Sequence, residues 1–453
     1  MKVLGFKVSW LIIVHILLGI ISVYSSIPAI VWGLSVIVYC IYKSGDKNGL
    51  VISIFLAFLT SFELFARLVK TAPFLPYEIG KYGSIAIALV YLLNGRVKNY
   101  NRVAVALLML SIPSLLSLDM STGEYRNTLV FNYFGFVSMV LLMMVFDNRT
   151  FSIEIDFKNI LTAFLLPVIS ILVFLTLKTS NLSDMEFELG ANYQSTAGFG
   201  PNQVATIMGI GLFIAYIYYV LYGKMAFGIG MFAVDSLVIT FACLLRGLLT
   251  FSRGGMLVGF VLLFIFIGLQ GPISRKIKMF KLSILQVLFL IFFLFAATYK
   301  INEFTDNQLW LRYQGETKGT QNMDREKDVN LLLSGRKSII EEELELFYDN
   351  PFLGVGPGQS RFERIKRGYE DNNSHTEVAR MLAEHGVFGI IMALIFIFYP
   401  FYLIKRQKEL LGKFIVGAFS FIAIVTSFHS ATRLLITPFF YGLACSNFNF
   451  NKK

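Results

Sequence analysis

Three residues in this chain have the type and setting for chemistry on a phosphorylated sugar. The chain has only four histidines. One of them, His375, lies in NNSHTEVARMLAEHG (372–386), where a polar run meets an apolar one. Ser374 and Glu377 have the S-x-x-E spacing of a capping box, which predicts that His375 opens a helix. A helix N-terminus carries partial positive charge and unpaired N–H groups, so an imidazole there stays neutral. A neutral imidazole can take a proton as a general base; the plainer role is a polar residue in a first turn. Arg253 stands at the mouth of an apolar span in TFSRGGMLVGF (250–260), followed by two glycines that allow close approach of backbone or ligand. Its guanidinium is a planar fork of donors suited to phosphate, and its plainer role is snorkelling to the interface. Arg336, in SGRKS (334–338), is a further basic candidate, with a solvated helix start as the alternative.

The elements that must hold these residues are membrane helices. The chain is 56% hydrophobic and 15% charged, with a mean hydropathy of +0.66. Soluble domains carry about 25% charged residues. The apolar runs are continuous and long enough to cross a bilayer, with no period-2 alternation. The fold class is therefore all-α and polytopic, with 12–14 transmembrane helices and one large extracytoplasmic loop containing short helices. Fourteen windows qualify, at 8–26, 28–42, 50–69, 82–94, 102–118, 128–146, 159–177, 202–222, 225–243, 254–270, 282–299, 383–404, 413–430 and 432–447. The first is read as a retained helix, because no small-residue cleavage site follows it. Basic clusters such as RKIKMFK (275–281) and KRQKELLGK (405–413) fall on one side, which predicts cytoplasmic termini. The net charge of +11 then reflects topology and anionic lipid headgroups rather than nucleic acid. Cys40, Cys243 and Cys445 lie in or beside apolar runs, without metal-ligand or disulfide spacing. No internal repeat is visible.

Three regions follow: membrane helices over 1–299, an extracytoplasmic loop over 300–376, and C-terminal membrane helices over 377–453. The loop mixes 11 basic and 14 acidic residues, and a segment of this length is commonly functional. A helix is expected over 334–351, with Ser338 and Glu341 as a second capping box and with Ile340, Leu344 and Phe347 at helical spacing. FLGVGPGQS (352–360) must turn tightly, and SRFERIKRGYE (360–370) reads as a basic helix. MDREKD (323–328) reads as a solvated charged turn, and no metal site is expected. Arg67 lies inside an apolar span four residues after Glu63, a spacing that allows an intramembrane ion pair. Asn202, in GFGPNQVA (198–205), opens another span and reads as a helix cap.

Together these strings resemble the bacterial O-antigen ligase/polymerase superfamily. The resemblance rests on SRGG at the start of a span, on GRKSIIEEELELFYDNPFLGVGPGQ (335–359), and on SHTEVARMLAEHGVFG (374–389), and covers about 200–400. Thr376 follows the histidine where many members have Asn. The resemblance implies a membrane glycosyltransferase of the bacterial cytoplasmic membrane, working outside it without metal ion, cofactor or nucleotide sugar. It implies an undecaprenyl-diphosphate-linked oligosaccharide donor bound by Arg253 and Arg336, and a glycan acceptor whose hydroxyl gives its proton to His375. Asn202, Arg67, Asn373 and Arg380 are further candidate substrate contacts. Membrane lipids, a flippase and a chain-length regulator are candidate partners. The expected activity is that of an O-antigen or capsule-like polysaccharide polymerase. A ligase that moves polymer onto lipid A core shares its motifs. A flippase for lipid-linked sugars would share the span count but would not require a histidine at a helix start.

Overall fold

The computed structural model describes residues 2–3, 5–43, 49–95, 100–179, 181, 185–223, 232–276, 284–317, 320, 336–372, 374, 376–428 and 434–450. His375, Asn373, MDREKD (323–328) and most of the basic cluster 275–281 lie outside these residues. The helices run in chain order as α1 (Val8–Ile21), α2 (Ile27–Lys43), α3 (Leu50–Leu68), α4 (Ile79–Leu93), α5 (Arg102–Ser111) and α6 (Gly123–Phe146). They continue as α7 (Lys158–Lys178), α8 (Pro201–Tyr222), α9 (Phe232–Leu249), α10 (Arg253–Lys276), α11 (Ile284–Phe304) and α12 (Gln308–Tyr313). The last five are α13 (Arg336–Asp349), α14 (Ser360–Lys366), α15 (Glu377–Arg406), α16 (Leu410–Ser427) and α17 (Ile436–Ala444). The chain is an all-α polytopic membrane protein. Among the described residues, seven helices are long and apolar enough to cross a membrane, and five more are shorter apolar helices.

Every expected window contains a helix, though several differ in extent, two of them with consequences for neighbouring side chains. The ninth was expected at 225–243; α9, described over Phe232–Leu249, runs six residues past that end. It thus carries Arg246 within a helix, where the guanidinium donates to the Thr179 hydroxyl at 2.8 Å. The last window shrinks to the nine residues of α17, about 14 Å at 1.5 Å per residue. That is half the ~30 Å hydrocarbon thickness. The buried carboxylate of Glu63 explains how so short a helix can start among other helices. Its Oε2 accepts the N–H of Leu435 at 2.7 Å, the residue that caps α17. Its Oε1 pairs with Arg67 at 2.7 Å.

Two glycine contacts set the geometry around the functional end. Gly255 and Gly259 on α10 lie against Gly209 on α8, a small-xxx-small seam that lets backbones touch. A Cβ at Gly255 would lie 2.4 Å from the Thr206 nitrogen, and one at Gly209 would lie 2.3 Å from the Gly255 oxygen. The SRGG glycine at 255 therefore admits a neighbouring helix. The second contact interrupts α15 at Gly386, with φ 57° and ψ −137°. The 351–359 turn docks into that break. Val387 N–H donates to Pro351 O at 2.7 Å, Val355 N–H to Ala383 O at 2.9 Å, and Gly356 N–H to Glu384 O at 3.1 Å.

Candidate functional site

Three arginines share one electrostatic neighbourhood at the ends of α9 and α11 and the start of α10. Arg253 is the first residue of α10. The turn before it is pinned from both sides: Asn192 N–H donates to Thr250 O at 2.9 Å, and the Ser252 hydroxyl donates to Asn202 Oδ1 at 2.7 Å. Asn202 was expected to cap α8. It is instead the second helical residue, because Pro201 takes the first position, and its side chain is spent on the turn that presents Arg253. Arg312 lies on α12 and donates from Nη1 to Leu189 O at 3.2 Å. Arg336 opens α13.

Charge repulsion ties the three together. Burial, and then the charge of Arg253, pull the Arg312 guanidinium down to about 10. The same two causes lower Arg336. The Nε atoms of Arg312 and Arg336 are buried with no hydrogen-bond partner, and neither residue is in an ion pair among the described residues. Clustered, partly desolvated cations of one sign are costly unless an anion joins them. The cluster suits a group with several anionic oxygens.

Arg312 is the member that sequence reading missed. It stands in NQLWLRYQG (307–315), with no motif around it, and only the return of α12 toward Leu189 brings it to Arg253.

A second set of polar groups lies buried between α13 and α15. Arg380 donates to Glu377 Oε1 at 2.5 Å and to Asn132 Oδ1 at 3.0 Å, with Glu384 Oε2 3.8 Å from its Nε. The Ser360 hydroxyl donates to Glu384 at 3.0 Å. Arg364, 1% exposed, pairs with Glu342 at 2.8 Å and donates to the Asn372 carbonyl. His385 meets the Ser114 hydroxyl at 2.6 Å, on the short 3-10 turn Pro113–Ser117. Arg380 is therefore a strut within this network.

The network also explains why both expected capping boxes are absent. α15 starts at Glu377 with Thr376 as its cap residue and no side-chain capping bond. Glu377 is held by Arg380, while the Ser374 hydroxyl accepts the N–H of the cap residue Thr376 at 3.3 Å. In α13 the helix already starts at Arg336, so Ser338 lies inside its first turn, and Glu341 sits 3.7 Å from Lys337.

The buried stripe of α13 is Ile339, Glu343 and Leu346, one position away from the apolar stripe read in sequence. Glu343 is fully buried. Its Oε2 accepts from the Thr376 hydroxyl at 3.5 Å, while Oε1 has no partner. Burial pushes its carboxyl up to about 8, against the opposing pull of Arg364. The folded-state value thus lies above the unfolded one, so the group costs nothing below about pH 4. The cost grows as pH rises toward 8, reaching on the order of 3 kcal/mol at pH 7. Glu343→Gln should raise the thermal midpoint at pH 7.5, with the gain disappearing at pH 4. A midpoint series in detergent across that range checks both the size and the sign.

Arg67 is placed elsewhere, paired with Glu63 and near Lys81, whose ammonium donates to Phe131 O at 2.9 Å. Among the described residues, no group of three His, Cys, Asp or Glu side chains is gathered for a metal ion.

These features define a multi-pass helical membrane protein with a cationic site where its helix ends meet a folded loop. Residues 237–394 match the family model described as O-antigen ligase, a stretch that contains all three clustered arginines. The match supports membership of the O-antigen ligase/polymerase superfamily. No curated protein matches the chain.

Proposed function

We propose that this chain is a polysaccharide polymerase of the bacterial cytoplasmic membrane. In this reading it transfers a glycan from an undecaprenyl-diphosphate-linked donor to a hydroxyl of a lipid-linked acceptor glycan, on the extracytoplasmic side. The superfamily implies a glycosyltransferase-like ligase or polymerase activity on lipid-linked glycans. The observation that carries the proposal is the gathering of Arg253, Arg312 and Arg336 with no carboxylate paired to the last two among the described residues. Such a cluster can hold a diphosphate and stabilise it as it leaves. α13 links it to the segment around position 375. Arg336 and Glu343 are seven residues apart, about 10 Å along the helix axis, and Glu343 receives Thr376.

The reaction then balances simply. His375 takes the proton of the acceptor hydroxyl as that oxygen attacks the anomeric carbon. The carbon–oxygen bond to the diphosphate breaks, the diphosphate keeps the electron pair, and configuration at the anomeric carbon inverts. A general base contributes about 10²–10⁴-fold. His375→Ala should therefore cut glycan transfer at least 100-fold while membrane insertion and yield stay normal. Transfer at near wild-type rate by this variant would sink the general-base assignment.

The family description favours a second reading, ligation of finished polymer to lipid A core. Gel analysis of surface glycan from a deletion strain separates the two. Single repeat units still attached to the core, with long chains lost, mark a polymerase. Long polymer stranded on its lipid carrier marks a ligase.

A further inference from the structure

Glu343 is poorly explained by stability alone. It lies on the buried stripe of α13 with none of its surface exposed. The charged groups that face it come from both elements packed there, Arg364 from α14 and Arg380 and Glu384 from α15. Both arginines are paired with other carboxylates, Arg364 with Glu342 and Arg380 with Glu377 and Glu384. A buried acid without an ion pair costs stability, and an apolar side chain could replace it without that cost. The hydroxyls it meets could also serve each other, since Ser374 Oγ and Thr376 Oγ1 are 3.3 Å apart.

What the carboxyl touches is the chain on either side of position 375. Its Oε2 receives the Thr376 hydroxyl at 3.5 Å, and the Ser374 hydroxyl also hydrogen-bonds to it. Both residues are buried, Thr376 at 3% exposure and Ser374 at 5%. One position back on α13, Glu342 pairs with Arg364 at 2.8 Å, and Arg364 donates to the carbonyl of Asn372. Asn372, Ser374 and Thr376 are thus all tied to α13. The same helix begins with Arg336, so the proposed diphosphate ligand and this grip stand on one rigid element.

We infer that Glu343 is a positioning residue for glycan transfer: by holding Ser374 and Thr376 against α13, it fixes the segment that supplies the base relative to the arginine at the start of that helix. This role rests on the assignment of His375 as base. Burial lifts the Glu343 carboxyl to about 8, so at neutral pH it carries its proton. A protonated carboxyl offers one O–H donor and a carbonyl acceptor. Glutamine offers a donor and an acceptor in nearly the same shape, whereas methionine fills similar space and offers neither.

Glu343→Gln and Glu343→Met are compared with the full-length wild type in nanodiscs at pH 7. The substrate is the lipid-linked oligosaccharide extracted from the deletion strain. Glu343→Met should lower kcat about 30-fold or more with KM within about twofold, since a misplacement of about 1 Å can cost about 100-fold. Its thermal midpoint should equal or exceed that of wild type, while hydrogen exchange in the 372–382 peptide speeds up about tenfold. Glu343→Gln should keep kcat within about threefold of wild type and retain the slow exchange. Thr376→Val removes one of the hydroxyl contacts from the other side, and should show a smaller kcat loss of the same kind if Glu343→Met folds poorly. Normal kcat in Glu343→Met would overturn the assignment, because no positioning would be needed. Equal losses in the Gln and Met variants would overturn it too, because the ionisable group itself would then be in use. His375→Ala, assayed alongside, separates this role from the function it rests on. Normal transfer by that variant defeats the general-base reading, whereas its failure beside a fully active Glu343→Met defeats only the positioning role.

Discussion

Arg336→Ala and Arg312→Ala should each lower kcat/KM for glycan transfer about 100-fold while leaving the ligand-free protein as stable as wild type, or more so. The two halves of this expectation have one cause. The three guanidinium groups repel one another in a partly desolvated site, and burial, with the charge of Arg253 adding to it, lowers the Arg312 guanidinium to about 10. Removing one cation relieves that repulsion. A leaving diphosphate, by contrast, loses a charge-assisted bond, and such a donor is worth about 10²–10³ in rate where charge develops in the transition state. Lysine at 336 should recover only part of the loss, because an ammonium cannot reproduce the planar fork. Thermal midpoints with and without inorganic pyrophosphate check the physical half directly. The anion should raise the wild-type midpoint, as any ligand of the folded state does. It should raise those of the two alanine variants less. A midpoint that falls in ligand-free Arg312→Ala would mean that this arginine is chiefly structural.

Gly386→Ala should give a large structural effect for a single methyl group. Gly386 has a positive φ, a conformation that costs other residues about 1–3 kcal/mol. Its Cβ would also lie 2.6 Å from the carbonyl of Phe352 and the oxygen of Pro351, both backbone groups that cannot swing aside. The docking is mutual, since a Cβ at Gly354 would meet the Glu384 carbonyl at 2.4–2.5 Å. Either substitution should push the 351–359 turn off the break in α15. The expected readout is a sharp fall in folded yield and thermal midpoint. The double variant should lose less than the sum of the two, because both break one contact. Gly123→Ala is the control: its Cβ meets nothing within 4 Å and its φ is ordinary, so the midpoint should stay within about 0.5 kcal/mol equivalent. A normal midpoint for Gly386→Ala would show that the break is not required.

The membrane class and the places of the helices are legible in the sequence, because they follow from local quantities. A run of apolar residues long enough to span a bilayer must satisfy its own backbone, and only a helix does so within one segment. The tight turn at 352–360 is equally local: Gly354, Gly356 and Gly358 all adopt positive φ. The expectation failed where a side chain had a choice of partners. Capping boxes at Ser338–Glu341 and Ser374–Glu377 have the right spacing, but Glu377 is claimed by Arg380, and α13 begins two residues before Ser338. Asn202 sits near a helix start yet spends its amide oxygen on Ser252, fifty residues away.

What only the tertiary structure decided is which distant groups meet. Arg312 carries no motif and becomes one of three arginines because α12 folds back against Leu189. Glu343 looks like one more acid in the run EEELE and becomes a buried, proton-holding carboxyl because α13 packs on α15. Glu63 reads as half of an i,i+4 pair and proves to hold the N–H of Leu435, the cap residue of α17. Hydrophobic length is a property of consecutive residues, so the chain states it directly. Charge pairing and burial depend on distances through space, and those exist only once the helices have packed.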